Sequence, residues 1–274
     1  MSDHGDLLAR IAAALERLAP ANPVATDWSA APAYVWDGTA RAVDRIIAPP
    51  LALLRGIEAQ KDVVTANVAR LAAGHAAHDM LLWGARGMGK SVLLRASVAA
   101  AQEHAEESIA LVQVGPEALS SLSALFGALA GEKRRFLVFI DDLGFEEGDS
   151  SGPRALRSWL EGGVEARPGN VRLAVTSNRR AIVPRHVQEQ DDPLNPRDAV
   201  DDRLALADRF GLSVGFHVCS QDDYLSIVGG YCTAHGLSWD RGEALEWSKR
   251  RGARSGRVAW QFVTELAGRA GKLI

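Results

Sequence analysis

An α/β fold, a parallel sheet followed by a small helical unit, is predicted by three observations. Short apolar runs at residues 80–83, 109–114, 136–140, 171–176 and 212–218 are separated, over the first three gaps, by helix-length segments, the rhythm of strands joined by crossover helices. Three of those runs are continuous rather than alternating in polarity, as strands covered on both faces should be. Beyond residue 218 only helical patterns remain, over 222–233, 241–251 and 256–268, broken at Gly236 and between Gly252 and Gly256.

The segments ahead of the sheet read differently. Leu8, Ile11, Leu15 and Leu18 recur at helical spacing before Pro20 and Pro23, which predicts a short amphipathic helix, packed on its own domain, on a sister subunit or on a partner. Residues 20–50 hold isolated Trp28, Tyr34 and Trp36 with little periodicity and read as an extended linker docked by its aromatics. A helix over 57–73, with Gly74 as its C-cap, then leads into the first strand. The expected division is therefore 1–50 as helix and linker, 51–218 as the α/β domain and 219–274 as a helical lid.

Composition sets outer bounds. With 274 residues, 47% hydrophobic and 24% charged, the chain suits a globular protein rather than a disordered or fibrous one. A net charge of -3 removes the picture of a surface that grips nucleic acid all over, while leaving a local patch open. Two cysteines, Cys219 and Cys232, are too few for a disulfide framework or a zinc site and read as reduced thiols. The first twenty residues lack an uninterrupted apolar region, and nowhere do 18 apolar residues run together, so a cytoplasmic protein without a membrane span is expected.

Chemistry concentrates at residues 84–91. Gly84-Ala85-Arg86-Gly87-Met88-Gly89-Lys90-Ser91 satisfies G-x-x-x-x-G-K-[ST] between a strand and a helix. Such a loop turns backbone N–H groups toward phosphate oxygens, Lys90 reaches the β and γ phosphates of a nucleotide, and Ser91 can ligate Mg²⁺. The strand at 136–140 ends in Asp141-Asp142, carrying one carboxylate to hold Mg²⁺ (Asp141) and a second to orient or deprotonate water (Asp142). Aspartate is one methylene shorter than glutamate, so Glu146 and Glu147 compete for the base role, unless they form a solvated acidic turn. Asn178, after the next strand, is placed to position the γ-phosphate or the lytic water, or else to cap a turn; Arg179 and Arg180 after it read equally as surface charge. Before the last strand, Arg209 or Arg203 is a candidate finger into a neighbouring subunit's nucleotide, with an intramolecular salt bridge as the alternative. Arg257, in Ser255-Gly256-Arg257, can reach from the lid to the phosphates.

Taken together, these motifs resemble the AAA+ ATPases from about Leu51 to the end. More narrowly, Phe145 to Asp149, Leu160 to Gly163, Ala174 to Arg180, Asp208 to Leu212 and Arg254 to Arg257 look like the bacterial DUF815 group of ATP-binding proteins. Asp141-Asp142-Leu143-Gly144 also looks like the Walker B of helicase-loader and transposition-helper ATPases, and Asp208 to Gly211 like the finger segment of replication initiators. The resemblance implies a three-layer fold with a five-stranded parallel sheet in the order 5-1-4-3-2, MgATP in the crevice between sheet and lid, and a nucleotide-binding set that runs from Gly84 through Val92 and adds Arg257. It further implies that Gly56 and Ile57 cup the adenine, although ordinary packing before a helix would explain them equally.

Two functional readings follow. One is an oligomerising ATPase that hydrolyses ATP at subunit interfaces, with Arg209 acting in trans, to move an unknown protein partner. The other is an ATP-loaded switch or loader with little hydrolysis, kept alive by Asp142 in place of glutamate. A phosphotransferase on the same loop lacks an acceptor signature. No combined basic and aromatic stripe marks nucleic acid as the partner, which stays open.

Overall fold

The computed structural model describes residues 26–105, 108–143, 159–160, 167–178 and 209–274. Among the described residues seven strands form one mixed sheet: β1 (Ala33–Trp36), β2 (Ala40–Val43), β3 (Met80–Gly84), β4 (Ile109–Val114), β5 (Arg135–Ile140), β6 (Val171–Ser177) and β7 (Leu212–Phe216), in the order β2-β1-β4-β5-β6-β3-β7. The expectation of five parallel strands is thereby corrected. Strands β7, β3, β6, β5 and β4 are parallel neighbours, β1 adds to β4 in parallel, and β2 closes the edge antiparallel to β1.

The two extra strands lie in the stretch read as a linker. Their pairing, not their pattern, makes them strands: Ala33 to Trp36 align with Leu111 to Val114 of β4, and a four-residue segment shows too little alternation to be recognised alone. Between them Thr39 donates from its N–H and its hydroxyl to Asp37 Oδ1, at 3.2 and 3.0 Å, a local turn at Gly38. Trp28, Tyr34 and Trp36 are buried. Buried Arg134 ties this region down, with Nη1 donating to the carbonyls of Trp28 (3.1 Å) and Ala31 (2.7 Å) and Nη2 to that of Ile109 (3.0 Å). The expected boundary at residue 51 thus cuts through one sheet. The predicted helix at 8–18 lies outside the described residues.

Both faces of the central strands are covered, which is why β3 to β6 are largely apolar. Along β5, Leu137 and Phe139 face a core shared with α1 (Glu58–Ala72) and α2 (Lys90–His104), while Phe136, Val138 and Ile140 face a second core that holds α3 (Leu122–Leu129) and the aromatics Trp28 and Tyr34. Helix α1 ends as its Gly74 suggests: Gly74 N–H donates to Leu71 O and His75 N–H to Arg70 O, both at 2.9 Å, the paired bonds of a Schellman stop.

The lid is three helices, α4 (Gln221–Ala234), α5 (Arg241–Arg250) and α6 (Gly256–Arg269). Each has a side-chain N-cap: Ser220 with Asp223 in a capping box, Asp240 and Ser255, so the helix starts are encoded locally. Its apolar residues Tyr224, Val228, Phe262 and Val263 join the core of the α1–α2 face. No described helix is long and apolar enough to cross a membrane. Trp36→Ala should destabilise the chain by about 3–5 kcal/mol in urea unfolding, as loss of a buried indole does, because Trp36 also donates from Nε1 to Ser121 Oγ at 2.8 Å.

Candidate functional site

Strand order assembles the site. Because β5, β6 and β3 are adjacent and parallel, their C-terminal ends bring to one edge the Asp141-Asp142 turn, Asn178 and the glycine-rich loop. Ligand sites of α/β sheets form at that edge. The loop can sit so close to β7 only because its first residue has no side chain. A Cβ on Gly84 (φ +123) would lie 2.0 Å from the Phe216 carbonyl oxygen, and Ala85 N–H donates to that same oxygen at 3.1 Å.

Lys90, 6% exposed, is held at the loop's mouth. Its ammonium donates to the carbonyls of Gly84 (2.8 Å) and Ala85 (2.9 Å) and to Asn178 Oδ1 (3.2 Å), one acceptor for each of its protons. Burial pushes its pKa below the ordinary lysine range, and the charges of Asp142 and Asp141 pull the other way. Beside it Ser91 Oγ donates to Asp141 Oδ1 at 2.5 Å. A hydroxyl and a single carboxylate side by side suit Mg²⁺, which takes its remaining oxygen ligands from water and phosphate.

Thr176 organises the acidic turn. Its hydroxyl donates to Asp141 Oδ1 at 2.7 Å and accepts from the Asp142 N–H at 2.8 Å, while its carbonyl accepts from Leu143 N–H at 2.9 Å. Asp142 adopts φ +50, a left-handed conformation uncommon outside glycine. Its carboxylate accepts from Asn178 Nδ2 and faces Arg86 across 3.9 Å.

The lid closes the other side. Helix α6 starts on the loop: Arg257 N–H donates to Gly87 O at 3.2 Å, and a Cβ on Gly87 (φ +76) would meet Ser255 Oγ at 2.9 Å. Between lid and sheet runs a cleft of about 930 Å³, polar at Lys90, Ser91, Asp141, Asn178 and Arg257, apolar at Pro50, Leu54, Ile57, Ile227, Tyr231 and Trp260. A concave, mainly apolar wall with a few convergent polar groups is the form of a small-molecule site. Tyr231 and Trp260 meet edge to face, centroids 5.0 Å apart.

A family model described as "Protein of unknown function (DUF815)" matches residues 29–270. The chain belongs to the DUF815 family. Among solved structures this DUF815 chain is similar to Aeropyrum pernix ORC2 in its ADPNP–ADP complexes, with TM-score 0.57 and 16% identity over 82% of this chain and 65% of that one. A variant of Thermotoga maritima RuvB aligns with TM-score 0.55 and 15% identity over 81% and 66%. The T. maritima RuvB described as a Holliday junction branch migration motor aligns with TM-score 0.53 and 14% identity over 80% and 65%. The chain thus spans just under two thirds of the length of these structures. No match was found among curated proteins. At such identity the likeness shows the fold, that of the AAA+ P-loop ATPases.

Most of the sequence-read site residues of this DUF815 protein come together. Gly56, Ile57, residues 86–92, Asp141, Asp142, Asn178 and Arg257 line the one cleft, and Gly84 and Ala85 form its root. Arg209 does not line it. It lies three residues before β7, at the sheet edge where Leu212 N–H donates to Asp79 O at 3.1 Å, opposite the loop. Glu146, Glu147, Arg179, Arg180 and Arg203 fall outside the described residues. Sequence reasoning missed Thr176, Tyr231 and Trp260; Trp260 follows Arg257 by one helical turn, a spacing that puts both on one face of α6. Cys219 also lines the cleft, its thiol pushed up to about 11 by burial, so it is neutral and a poor nucleophile at pH 7.

Gly84→Ala should lower stability by more than about 4 kcal/mol in urea unfolding, since the added carbon has backbone in its way and the φ is unfavourable. An alkylating agent at pH 7 should leave native Cys219 and Cys232, both buried, unmodified for as long as the fold persists, read by mass spectrometry.

Proposed function

We propose that this protein binds MgATP in the cleft and hydrolyses it to ADP and phosphate at sites shared between copies, using lid movement to drive a conformational change in a protein partner. The observation that carries this reading is the cluster of Lys90, Ser91, Asp141, Asp142 and Asn178 at the mouth of a glycine-rich loop. The A. pernix ORC2 structure, with its ADPNP–ADP complexes, supports it by analogy.

Each residue then has a task. On nucleotide entry the Lys90 ammonium exchanges its carbonyl and amide acceptors for β and γ phosphate oxygens, offsetting their charge. Ser91 and Asp141 would hold Mg²⁺, which when bound would supply positive charge against that of the phosphates. Asp142 accepts a proton from the attacking water while Asn178 orients that water by a hydrogen bond. The base reaches the ring end of the cleft, against Ile57, with Gly56 beside it. Arg257 approaches the phosphates from α6, so lid position depends on whether the γ-phosphate is present. Arg209, on the opposite edge of the sheet from its own loop, serves the site of a neighbouring copy. Residues 26–218 act as the nucleotide-binding unit and 219–274 as its lid, in a cytoplasmic setting.

A second reading has its own observation. The Asp142 carboxylate is engaged by Asn178 and faces Arg86, so water activation is slow until a partner rearranges it, and the protein behaves as an ATP-loaded switch or loader.

Steady-state phosphate release measured against protein concentration separates the two. Specific activity rising with concentration fits shared sites; tight MgATP binding with no release fits the switch. Lys90→Ala should raise the Kd for MgATP on the order of 100-fold, as loss of a charge-assisted contact of about 3 kcal/mol implies; unchanged affinity would remove the loop from the mechanism. Arg209→Ala should keep nucleotide affinity and lose turnover, and mixing it with Asp142→Asn subunits should restore part of the activity.

A further inference from the structure

The end of the chain carries charge that the rest lacks. Residues 241–274 hold eight Lys or Arg against three Asp or Glu, a net +5 in a chain of net -3. Their carboxylates are already engaged: Glu246 pairs with Lys249 at 2.7 Å, and Glu265 and Glu243 both pair with Arg269, at 2.9 and 2.5 Å. Arg241 faces Asp222 at 3.6 Å. Arg250, Arg251, Arg254 and Arg257 remain, all exposed and without an ion pair among the described residues. Four guanidiniums thus lie within eight residues of one turn, between the end of α5 and the first turn of α6.

Two of them are pre-positioned. Arg250 and Arg251 lie over the Trp247 ring, 5.7 and 4.9 Å from its centroid, and that ring packs on buried Phe262 at 5.8 Å. Contact with the ring restrains the two guanidiniums while their residues stay exposed. Like charges so close repel one another, and an anion relieves the repulsion.

The kind of anion follows from what the turn lacks. Among the described residues the exposed large apolar side chains are Ile47, Val63, Val218, Trp260, Leu273 and Ile274; the one nearest the turn, Trp260, lies a helical turn beyond Arg257 and lines the cleft. Protein partners are held mainly by apolar or aromatic anchors inside a polar rim; residues 248–257 expose no large apolar anchor of their own. A phosphodiester backbone needs only such forks, taken singly along a row. We infer that the turn joining α5 to α6 docks the phosphodiester backbone of a nucleic acid, without reading its bases. The turn offers Arg250, Arg251 and Arg254, with Arg257 also lining the cleft, so it neutralises three or four phosphates. The inference rests on the charge of the turn and stands whether or not the cleft hydrolyses ATP.

The test is anisotropy of labelled 20-mers (duplex DNA, single-stranded DNA and single-stranded RNA, each of mixed sequence) titrated with the full chain. For the duplex, three or four released counterions predict a slope of log Kobs on log salt of about -2.7 to -3.6, hence a loss of about 40- to 150-fold between ~50 and ~200 mM NaCl. Arg250→Gln, Arg251→Gln and Arg254→Gln combined should weaken binding at least about tenfold at ~50 mM and flatten that slope, with MgATP affinity and melting temperature unchanged. Scrambled sequences should bind within about twofold of one another. Lys90→Ala should bind the oligonucleotides as the wild type does, which keeps this outcome separate from that of the nucleotide site. Absence of binding to all three nucleic acids at ~50 mM would overturn the inference, as would wild-type affinity in the triple variant. Equal or tighter binding of a poly-glutamate of matched charge would overturn it in favour of an acidic protein segment.

Discussion

One hydroxyl joins the parts of the cleft that different strands supply. Thr176, at the end of β6, donates to the carboxylate of Asp141 and accepts from the backbone of Asp142, so the turn after β5 is set by its neighbour in the sheet. Ser91 reaches the same carboxylate oxygen from α2. Residues from three segments far apart in the chain thus meet at one oxygen atom, next to the left-handed turn at Asp142. A part-buried network of this kind holds the turn in one arrangement when complete and loosens it when one member is lost.

The lid and the loop are joined as closely. Gly87 is in contact with Ser255 and Arg257 at the start of α6, and Ser255 is the N-cap of that helix. Any change in the loop therefore meets the first turn of the lid without an intervening layer. That first turn is continuous with the arginine-rich turn after α5, which puts the glycine-rich loop and the lid's exposed cations within a few residues of each other.

Strands β3 to β6 are legible in the sequence because both their faces are covered, as Phe136 to Ile140 show by feeding two separate cores. The glycine-rich loop is legible because its backbone path tolerates few residue types. By contrast β1 and β2 read as linker: their four residues each acquire strand character from the ladder with β4, a non-local cause that no window of sequence contains. Thr176 escapes notice for a related reason, since threonine at a strand end is ordinary and its role appears only once β5 lies beside it. Arg209 stands out by its position in the chain, but that it lies at the far edge from the loop depends on the direction of β7.

The hairpin of β1 and β2 has one more consequence. Without it the sheet would end at β4, whose residues Ile109 to Val114 are almost all buried and would present an apolar row of unpaired N–H and C=O groups. With it the outermost strand is β2, only four residues long and carrying exposed Arg41. Short, charged edges resist edge-to-edge joining of chains, whereas long apolar ones template it. The hairpin thus guards the β4 side of the sheet against edge-to-edge association, and a chain cut back to Leu51 should aggregate through β4 for reasons unrelated to its cleft.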